Sequence, residues 1–279
     1  MQCLHPGGLH RLAYWEWGAA DQDDVVVCVH GLTRQGRDFD VLAQALQPGR
    51  RVVCPDLPGR GESDWLTNPA LYQVPQYLAD LVTLLARLKA RRVSWVGTSL
   101  GGLIGIALAG MQHSPIDRLV LNDVGPSLDS RGLMRIASYV GRQMSFDTPE
   151  QAADSLREIS QGFGPHTPEQ WMALTRPMLR PDGDGWRLHY DPALSQPFSA
   201  ATAQAVAAGE IALWQAYDQI AAPTLVVRGA DSDILNVQTA LAMAQRGPRA
   251  RLVELAGVGH APTLVQPDQV GIVRDFLLS

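Results

Sequence analysis

Hydrophobic and polar positions follow two alternating patterns along most of the chain. Apolar runs rich in β-branched residues are typical of strands buried on both faces, and they predict strands at 25–29, 51–54, 93–96, 118–121, 223–227 and 251–255. An earlier segment, 12–18, alternates in side-chain size and predicts a partly exposed strand. Apolar residues at helical spacing predict helices at 36–46, 75–88, 100–109, 237–245 and 267–278. Strands that alternate with helices indicate an α/β fold, with a mostly parallel sheet covered by helices on both faces.

The pattern changes between residues 127 and 217, where we find no run typical of a buried strand. Helical stretches there are interrupted by turns rich in Pro and Gly, such as 162–165 and 181–185. The segment is long for a single crossover connection. We therefore predict a helical cap subdomain at 127–217, inserted into a core made of 1–126 and 218–279.

Composition is that of a globular protein with a sizeable core. The chain has 279 residues, of which 46% are hydrophobic and 18% charged. Its formal net charge is −5, and we see no basic run, which argues against nucleic acid or an anionic membrane as a partner. We expect a small-molecule substrate and a monomer or homodimer.

The N-terminus and the cysteines bear on the compartment. Residues 1–8 lack the basic and apolar regions of a secretory signal, and no stretch approaches the roughly 18 apolar residues of a membrane span. Cys3, Cys28 and Cys54 form neither a C-x-x-C motif nor a metal-ligand spacing, which favours reduced core thiols. We expect a soluble cytoplasmic protein that needs no metal or other cofactor.

The strongest chemical signal is Gly97-Thr98-Ser99-Leu100-Gly101, which fits the pattern G-x-S-x-G. An apolar β-branched run precedes it, and small and apolar residues typical of a buried helix follow it. Such a sharp turn from strand to helix presents the serine at the tip of the sheet, and small flanking residues let strand and helix approach. Ser99 is therefore the candidate nucleophile.

A serine hydroxyl is a poor nucleophile at neutral pH and needs a base that a carboxylate holds in the correct tautomer. Loops at the carboxyl ends of the predicted strands supply these groups, because ligands bind at that edge of a parallel sheet. His260 lies in the loop after the last strand, between Gly259 and Ala261, and is the candidate base. The loop Asp231-Ser232-Asp233 follows the strand at 223–227 and offers carboxylates.

The third requirement is a pair of backbone N–H groups for the oxyanion. One should belong to Leu100, which directly follows the nucleophile. The other should come from the loop after the strand 25–29, which begins His30-Gly31-Leu32. Within this loop Leu32 is preferred and Thr33 is the alternative.

The chain resembles the α/β-hydrolase superfamily, and more specifically its cap-bearing serine hydrolases, from about residue 15 to residue 277. The motifs that carry the resemblance are His30-Gly31-Leu32, the loop 55–64 (PDLPGRGESD), the loop 97–102 (GTSLGG), the turn 228–233 (RGADSD) and Gly259-His260. The order Ser, Asp, His along the chain is also that of this superfamily. The resemblance implies an eight-stranded sheet with an early antiparallel strand and a helical cap between the sixth and seventh strands.

The acid of the implied triad has three candidates. The family usually places it three residues after the glycine of the seventh-strand turn, and counting from Gly229 that position is Ser232. Aspartates flank this serine on both sides. We favour Asp233 because an apolar pair follows it, as one follows the usual acid. Asp231 is the second candidate, and Asp123, after the sixth strand, is the third because some relatives place the acid there.

These features predict a carboxylic-ester hydrolase acting on a small to medium, partly apolar substrate through an acyl-enzyme. Ser99 would attack, His260 would move the proton and Asp233 would orient the imidazole, while the Leu32 and Leu100 amides hold the oxyanion. The same fold and triad could instead hydrolyse a carbon–carbon bond in a vinylogous diketone, or carry out cofactor-free perhydrolysis. A third hypothesis is a ligand-binding receptor with negligible turnover.

Overall fold

The computed structural model describes residues 1–200 and 202–279. Its strands are β1 (Gln2–His5), β2 (Gly8–Arg11), β3 (Tyr14–Trp17), β4 (Asp24–Val29), β5 (Arg51–Pro55), β6 (Arg92–Thr98), β7 (Ile116–Asn122), β8 (Ser145–Phe146), β9 (Leu179–Asp182), β10 (Gly185–Leu188), β11 (Thr224–Gly229) and β12 (Arg251–Leu255). Its α-helices are α1 (Asp40–Leu46), α2 (Val74–Leu88), α3 (Leu100–Ala109), α4 (Ser130–Tyr139), α5 (Pro149–Ile159), α6 (Pro168–Thr175), α7 (Gln196–Ala200), α8 (Ala203–Asp218), α9 (Val237–Met243) and α10 (Pro267–Leu278). Residue 201, inside the range predicted for the cap, lies outside the described residues.

A mostly parallel sheet forms the centre of the fold, as predicted. Within the described residues, seven strands build it in the order β12-β11-β7-β6-β4-β5-β3. The pair β3–β5 is antiparallel and the other pairs are parallel. Since β4, β6 and β7 are neighbours, the loops that leave their carboxyl ends lie side by side at one edge of the sheet.

The sheet separates two apolar cores, and β4 shows why its sequence is continuously hydrophobic. Val25, Val27 and Val29 pack into one core, while Val26 and Cys28 pack into the other. Side chains of α2 and α3 belong to the first core, and side chains of α1 and α10 belong to the second. Because such a strand is covered on both faces, polar and apolar residues do not alternate along its sequence.

The N-terminus departs from the prediction. The resemblance implied an eight-stranded sheet, whereas the described part of the chain contributes seven strands to it. The first residues form a separate antiparallel hairpin, β1–β2, whose buried face carries Cys3 and His10 while Leu4 and Leu9 are 70% and 67% exposed. Apolar residues outside and polar residues inside are the reverse of the usual pattern, which is why hydrophobic periodicity did not predict these strands.

The segment between β7 and β11 contains α4 to α8 and is mostly helical. The Thr-Pro pairs that interrupt its pattern begin helices: the side chains of Thr148 and Thr167 accept hydrogen bonds from Gln151 N–H and Gln170 N–H and so cap α5 and α6. α5 packs on α6, and α8 packs on α3 of the core.

The segment also contains strands, where the sequence predicted none. In the described part, β8, β10 and β9 form a small antiparallel sheet. These strands have two to four residues each and several exposed positions, so they lack the apolar run by which a buried strand is recognised.

Two further expectations can be compared with the fold. Cys3, Cys28 and Cys54 are buried free thiols, as predicted. Across the described ranges we find no helix with both the length and the apolar character that crossing a membrane requires.

Candidate active site

Ser99 occupies the turn between β6 and α3. Its backbone has φ 51° and ψ −116°, a left-handed conformation that a serine adopts at the cost of strain. The flanking glycines make this turn possible: a Cβ atom on Gly97 would lie 2.3 Å from the Gly101 carbonyl oxygen, and one on Gly101 would lie 2.0 Å from the Val29 carbonyl oxygen. The predicted strand–serine–helix turn is therefore present, with its hydroxyl at the sheet edge.

His260 lies in the loop after β12 and contacts the serine. Its Nε2 is 3.0 Å from Ser99 Oγ, and its Nδ1 is 2.8 Å from Asp123 Oδ2. The loop is held on two sides: Asn122 Nδ2 donates to Pro262 O at 2.7 Å, and Gly259 N–H donates to the carbonyl of Gly162 at 2.7 Å. The second bond joins the loop to the segment between β7 and β11.

Asp123 directly follows β7 and is fully buried. Its Oδ2 accepts hydrogen bonds from His260 Nδ1–H at 2.8 Å and from the Ser232 hydroxyl at 2.6 Å, and its Oδ1 accepts one from Gly229 N–H at 2.9 Å. A carboxylate that accepts three hydrogen bonds is held in one orientation. It is therefore suited to fix the tautomer and the plane of the imidazole.

The predicted contact between Asp233 and His260 is wrong. The Asp233 carboxylate instead accepts two hydrogen bonds from Arg135 of α4, at 2.6 and 2.8 Å. These hydrogen bonds are the main reason why the pKa of Asp233 is lowered. The other candidate of this loop, Asp231, is exposed. The acid beside the imidazole is thus the third candidate, Asp123.

Strand order explains this outcome. β7 and β11 are hydrogen-bonded parallel neighbours, so the loops that follow them begin at the same edge of the sheet. A carboxylate after either strand can therefore reach the histidine loop. Ser232 stands where the family usually has the acid, and its hydroxyl supports Asp123 from there. The sequence contained a signal for this assignment. Because a serine occupies the position where the family usually has the acid, the acid is expected after β7, the strand before the insertion.

The predicted oxyanion donors lie beside the nucleophile. A Cβ atom on Gly31, the residue before Leu32, would lie 3.6 Å from Ser99 Cβ. Within the described residues, neither Leu32 N–H nor Leu100 N–H donates to another protein group. Both amides are thus available to a ligand, and their role as oxyanion donors stays a prediction.

Two buried side chains position the Leu32 loop, and sequence reasoning did not assign them a role. Arg60 Nε donates to Leu32 O at 2.6 Å. His30 Nδ1–H donates to Gly31 O at 2.7 Å, and its Nε2 accepts from Leu57 N–H at 2.9 Å. Burial, with a smaller contribution from Arg60, lowers the pKa of His30 to about 3, so the ring is neutral at physiological pH. Both residues belong to motifs that the sequence analysis quoted.

A cavity opens above Ser99. The cavity is open to solvent, and the volume inside it that water-sized molecules can occupy is about 90 Å³. Its walls are largely apolar and include Leu32, Phe39, Ile136, Leu156, Phe163 and Met178. The lining arginines are neutralised by carboxylates, Arg34 by Asp38 and Arg135 by Asp233. The cavity therefore suits a substrate that is mostly apolar yet has polar groups.

Comparison with known proteins agrees with this fold. A family model described as the alpha/beta hydrolase fold matches residues 24–267. The chain is 51% identical to a 3-hydroxybutyrate-oligomer hydrolase of Cupriavidus necator, over 99% of this chain and 96% of that protein. It is 26% identical to a pimeloyl-[acyl-carrier protein] methyl ester esterase of Photobacterium profundum, over 94% of this chain and 97% of that protein. A crystal structure of an alpha/beta hydrolase from Novosphingobium aromaticivorans is 38% identical and superposes with a TM-score of 0.87, covering 100% of this chain and 97% of the other.

The chain belongs to the α/β-hydrolase family. It is a hydrolase of the carboxylic-ester class.

Proposed function

We propose that the protein is a serine esterase in which Ser99, His260 and Asp123 form the catalytic triad. The observation that carries this proposal is the continuous set of contacts from Ser99 Oγ to His260 Nε2 at 3.0 Å and from His260 Nδ1 to Asp123 Oδ2 at 2.8 Å. The base is thus within hydrogen-bond distance of both the nucleophile and the orienting acid, as this chemistry requires.

The reaction follows from this arrangement. Ser99 Oγ attacks the ester carbonyl carbon while its proton moves to His260 Nε2, and the carbonyl oxygen becomes an oxyanion that the Leu32 and Leu100 N–H groups hold. The tetrahedral intermediate loses the alcohol, which takes the proton from His260. Water then attacks the acyl-Ser99 ester with His260 as base, releasing the carboxylic acid and restoring the serine.

Asp123 acts through the imidazole. Its carboxylate keeps the proton on Nδ1, so that Nε2 presents a lone pair to the serine, and it stabilises the imidazolium that forms during the reaction. Ser232 and Gly229 hold Asp123 for this task by donating to its two oxygens. The carboxylate is fully buried, so solvent does not screen its interaction with His260.

We infer that the substrates are short oligomers of 3-hydroxybutyrate. The relative that is 51% identical over nearly the whole chain carries that activity in its name. Such an oligomer combines methyl branches with ester groups at regular intervals. These properties match a cavity whose walls are mainly apolar and whose charged groups are arranged in neutral pairs.

We also propose that residues 127–217 act as a cap over the nucleophile. Arg135, Ile136 and Leu156, which line the cavity beside Ser99, come from α4 and α5 of this segment. Side chains over the nucleophile shield the site from bulk solvent and select the substrate by shape.

The test is hydrolysis of a linear 3-hydroxybutyrate trimer followed by chromatography of the products. We expect the trimer to be converted to dimer and monomer, and Ser99→Ala to lower turnover by about 10⁴-fold or more. Ser138→Ala, at an exposed serine of α4, is the matched control and should keep full activity. If Ser99→Ala retains turnover, the triad is wrong.

A second set of substrates distinguishes the reaction classes. The same variants should be assayed for hydrolysis of activated aryl esters, for hydrolysis of a vinylogous diketone and for formation of a peracid. Fast turnover of an aryl ester without turnover of the trimer would keep the esterase and refute the oligomer as substrate. Preferred cleavage of the diketone would refute the ester class, and labelling of Ser99 by a fluorophosphonate without turnover of any substrate would favour a receptor.

A further inference from the structure

Away from Ser99, the N-terminal hairpin buries metal-ligating side chains against α2. Cys3 of β1 and His10 of β2 are register partners, and both point inward. Asp80 of α2 lies opposite them. The three residues are 2%, 3% and 0% exposed, respectively. Asp80 lies 70 positions after His10 along the chain, which is why no ligand spacing is visible in the sequence.

The donor atoms of these residues are close together. His10 Nε2 is 3.0 Å from Asp80 Oδ2, and one ligand atom from each of Cys3, His10 and Asp80 falls within 4.8 Å of the others. Tetrahedral coordination with metal–ligand distances of about 2.0–2.3 Å puts donor atoms about 3.3–3.8 Å apart. A contraction of about 1 Å would therefore bring this set to coordinating distance.

One nitrogen of the cluster has no partner. His10 Nδ1 is buried and has no hydrogen-bond partner among the described residues. Both oxygens of Asp80, by contrast, have partners: Gln76 Nε2 donates to Oδ1 at 2.8 Å, and His10 Nε2 lies 3.0 Å from Oδ2. The histidine therefore has a ring nitrogen whose hydrogen-bonding capacity the described protein groups do not meet.

The three donors together suit a divalent cation. Thiolate, neutral imidazole and carboxylate together form a donor set that suits zinc, and two negative ligands balance its charge. Gln76 stands one helical turn before Asp80, and its Nε2 donates to Asp80 Oδ1 at 2.8 Å and to Leu4 O at 2.9 Å, which ties the hairpin to α2. None of these four side chains lines the cavity above Ser99.

We propose that Cys3, His10 and Asp80 bind a zinc ion, or a divalent transition metal of similar preference, that fastens the N-terminal hairpin to α2. The site is structural and does not take part in ester hydrolysis. Metal binding of this kind stabilises the folded state because the unfolded chain cannot assemble the ligands.

The proposal is tested with full-length protein free of any histidine tag, stripped with a chelator and reloaded with Co²⁺ or Zn²⁺. We expect one cobalt per chain and the near-ultraviolet absorption band of a thiolate bound to cobalt. Cys3→Ser should lose the band, and His10→Gln should lose the metal. Cys54→Ala, a buried thiol elsewhere, and His113→Gln, an exposed histidine, are the matched controls and should keep both.

A second measurement keeps the test decisive if a variant does not fold. Added Zn²⁺ should raise the melting temperature of the stripped wild-type protein, and ester turnover should be the same with and without the metal. Substoichiometric cobalt binding by the wild type, a band that persists in Cys3→Ser, or a melting temperature that does not respond to Zn²⁺ would each overturn the site. Because ester turnover is measured separately, this result does not depend on the proposed esterase function.

Discussion

His260 Nδ1 and Asp123 Oδ2 lie 2.8 Å apart although 137 positions separate the two residues along the chain. The contact depends on the order of the strands, since β7, which ends one residue before Asp123, is paired with β11. Ser232, in the loop after β11, donates to the same carboxylate oxygen and holds it toward the imidazole. The carboxylate next along that loop, Asp233, is turned away and bound to Arg135.

The first prediction compares these two acids. Asp123→Asn should lower kcat for an ester substrate by about 10⁴-fold, because an amide no longer fixes the proton on Nδ1 of His260. Asp233→Asn should cost less than about tenfold, since it disturbs a partly exposed ion pair. Steady-state kinetics on one ester substrate measures both. If Asp233→Asn proves the more damaging change, Asp123 is not the acid.

The second prediction concerns Arg60 as a positioning residue. Arg60 Nε donates to Leu32 O, and its Nη1 donates to Tyr77 OH at 2.9 Å, so the guanidinium fixes the peptide directly after the proposed oxyanion donor, Leu32 N–H. Arg60→Lys cannot make both bonds and should lower kcat by about 10- to 100-fold with little change in KM. Arg11→Lys, at an exposed arginine, should leave kcat unchanged. A rise in KM with constant kcat would show that Arg60 affects substrate binding instead.

The third prediction uses the pH dependence of stability. Burial lowers the pKa of His30 from 6.5 to about 3, so between these values the unfolded chain binds a proton that the folded chain does not. The contribution of His30 to stability is therefore complete above pH 6.5 and is lost as the pH falls toward 3. Asp56 has the opposite sign: burial raises its pKa from 3.8 to about 6, so its contribution grows as the pH falls through that range.

The comparison of wild type with His30→Gln isolates the histidine. Urea unfolding gives the free energy of unfolding of each protein at about pH 7 and about pH 5. We expect this free energy to fall less between the two pH values in the variant than in the wild type, because the Asp56 contribution is common to both. Equal losses in the two proteins would mean that His30 is not held neutral by burial.

The fourth prediction contrasts two glycines. Gly97→Ala should destabilise the protein by about 3 kcal/mol or more, because the added methyl group would meet backbone atoms of the turn after Ser99. Gly209→Ala, on an exposed face of α8 with open space around it, should stabilise by about 0.5–1 kcal/mol through helix propensity. Thermal unfolding measures both changes. A neutral Gly97→Ala would imply that the turn can relax.

Local pattern determined much of the fold. Burial on both faces constrains every residue of a strand, so the sequence shows continuous apolar runs at β4, β6, β7 and β11. Burial of one stripe constrains a helix in the same way, and the sequence shows such stripes in α2 and α10. The turn at Ser99 is likewise a local property, since small neighbours are required wherever a strand bends sharply into a helix. The placement of Ser99 after β6 and of His260 after β12 followed from these elements alone.

Tertiary structure decided what depends on neighbours that are distant along the chain. Asp123 and Asp233 both follow a strand, and the choice between them rests on which carboxylate faces the imidazole and which one faces Arg135. The hairpin β1–β2 was also hidden from the sequence, because its buried face is polar and packs against α2. Side-chain direction and the identity of packing partners are properties of the assembled fold, and the period of a single strand or helix carries no information about them.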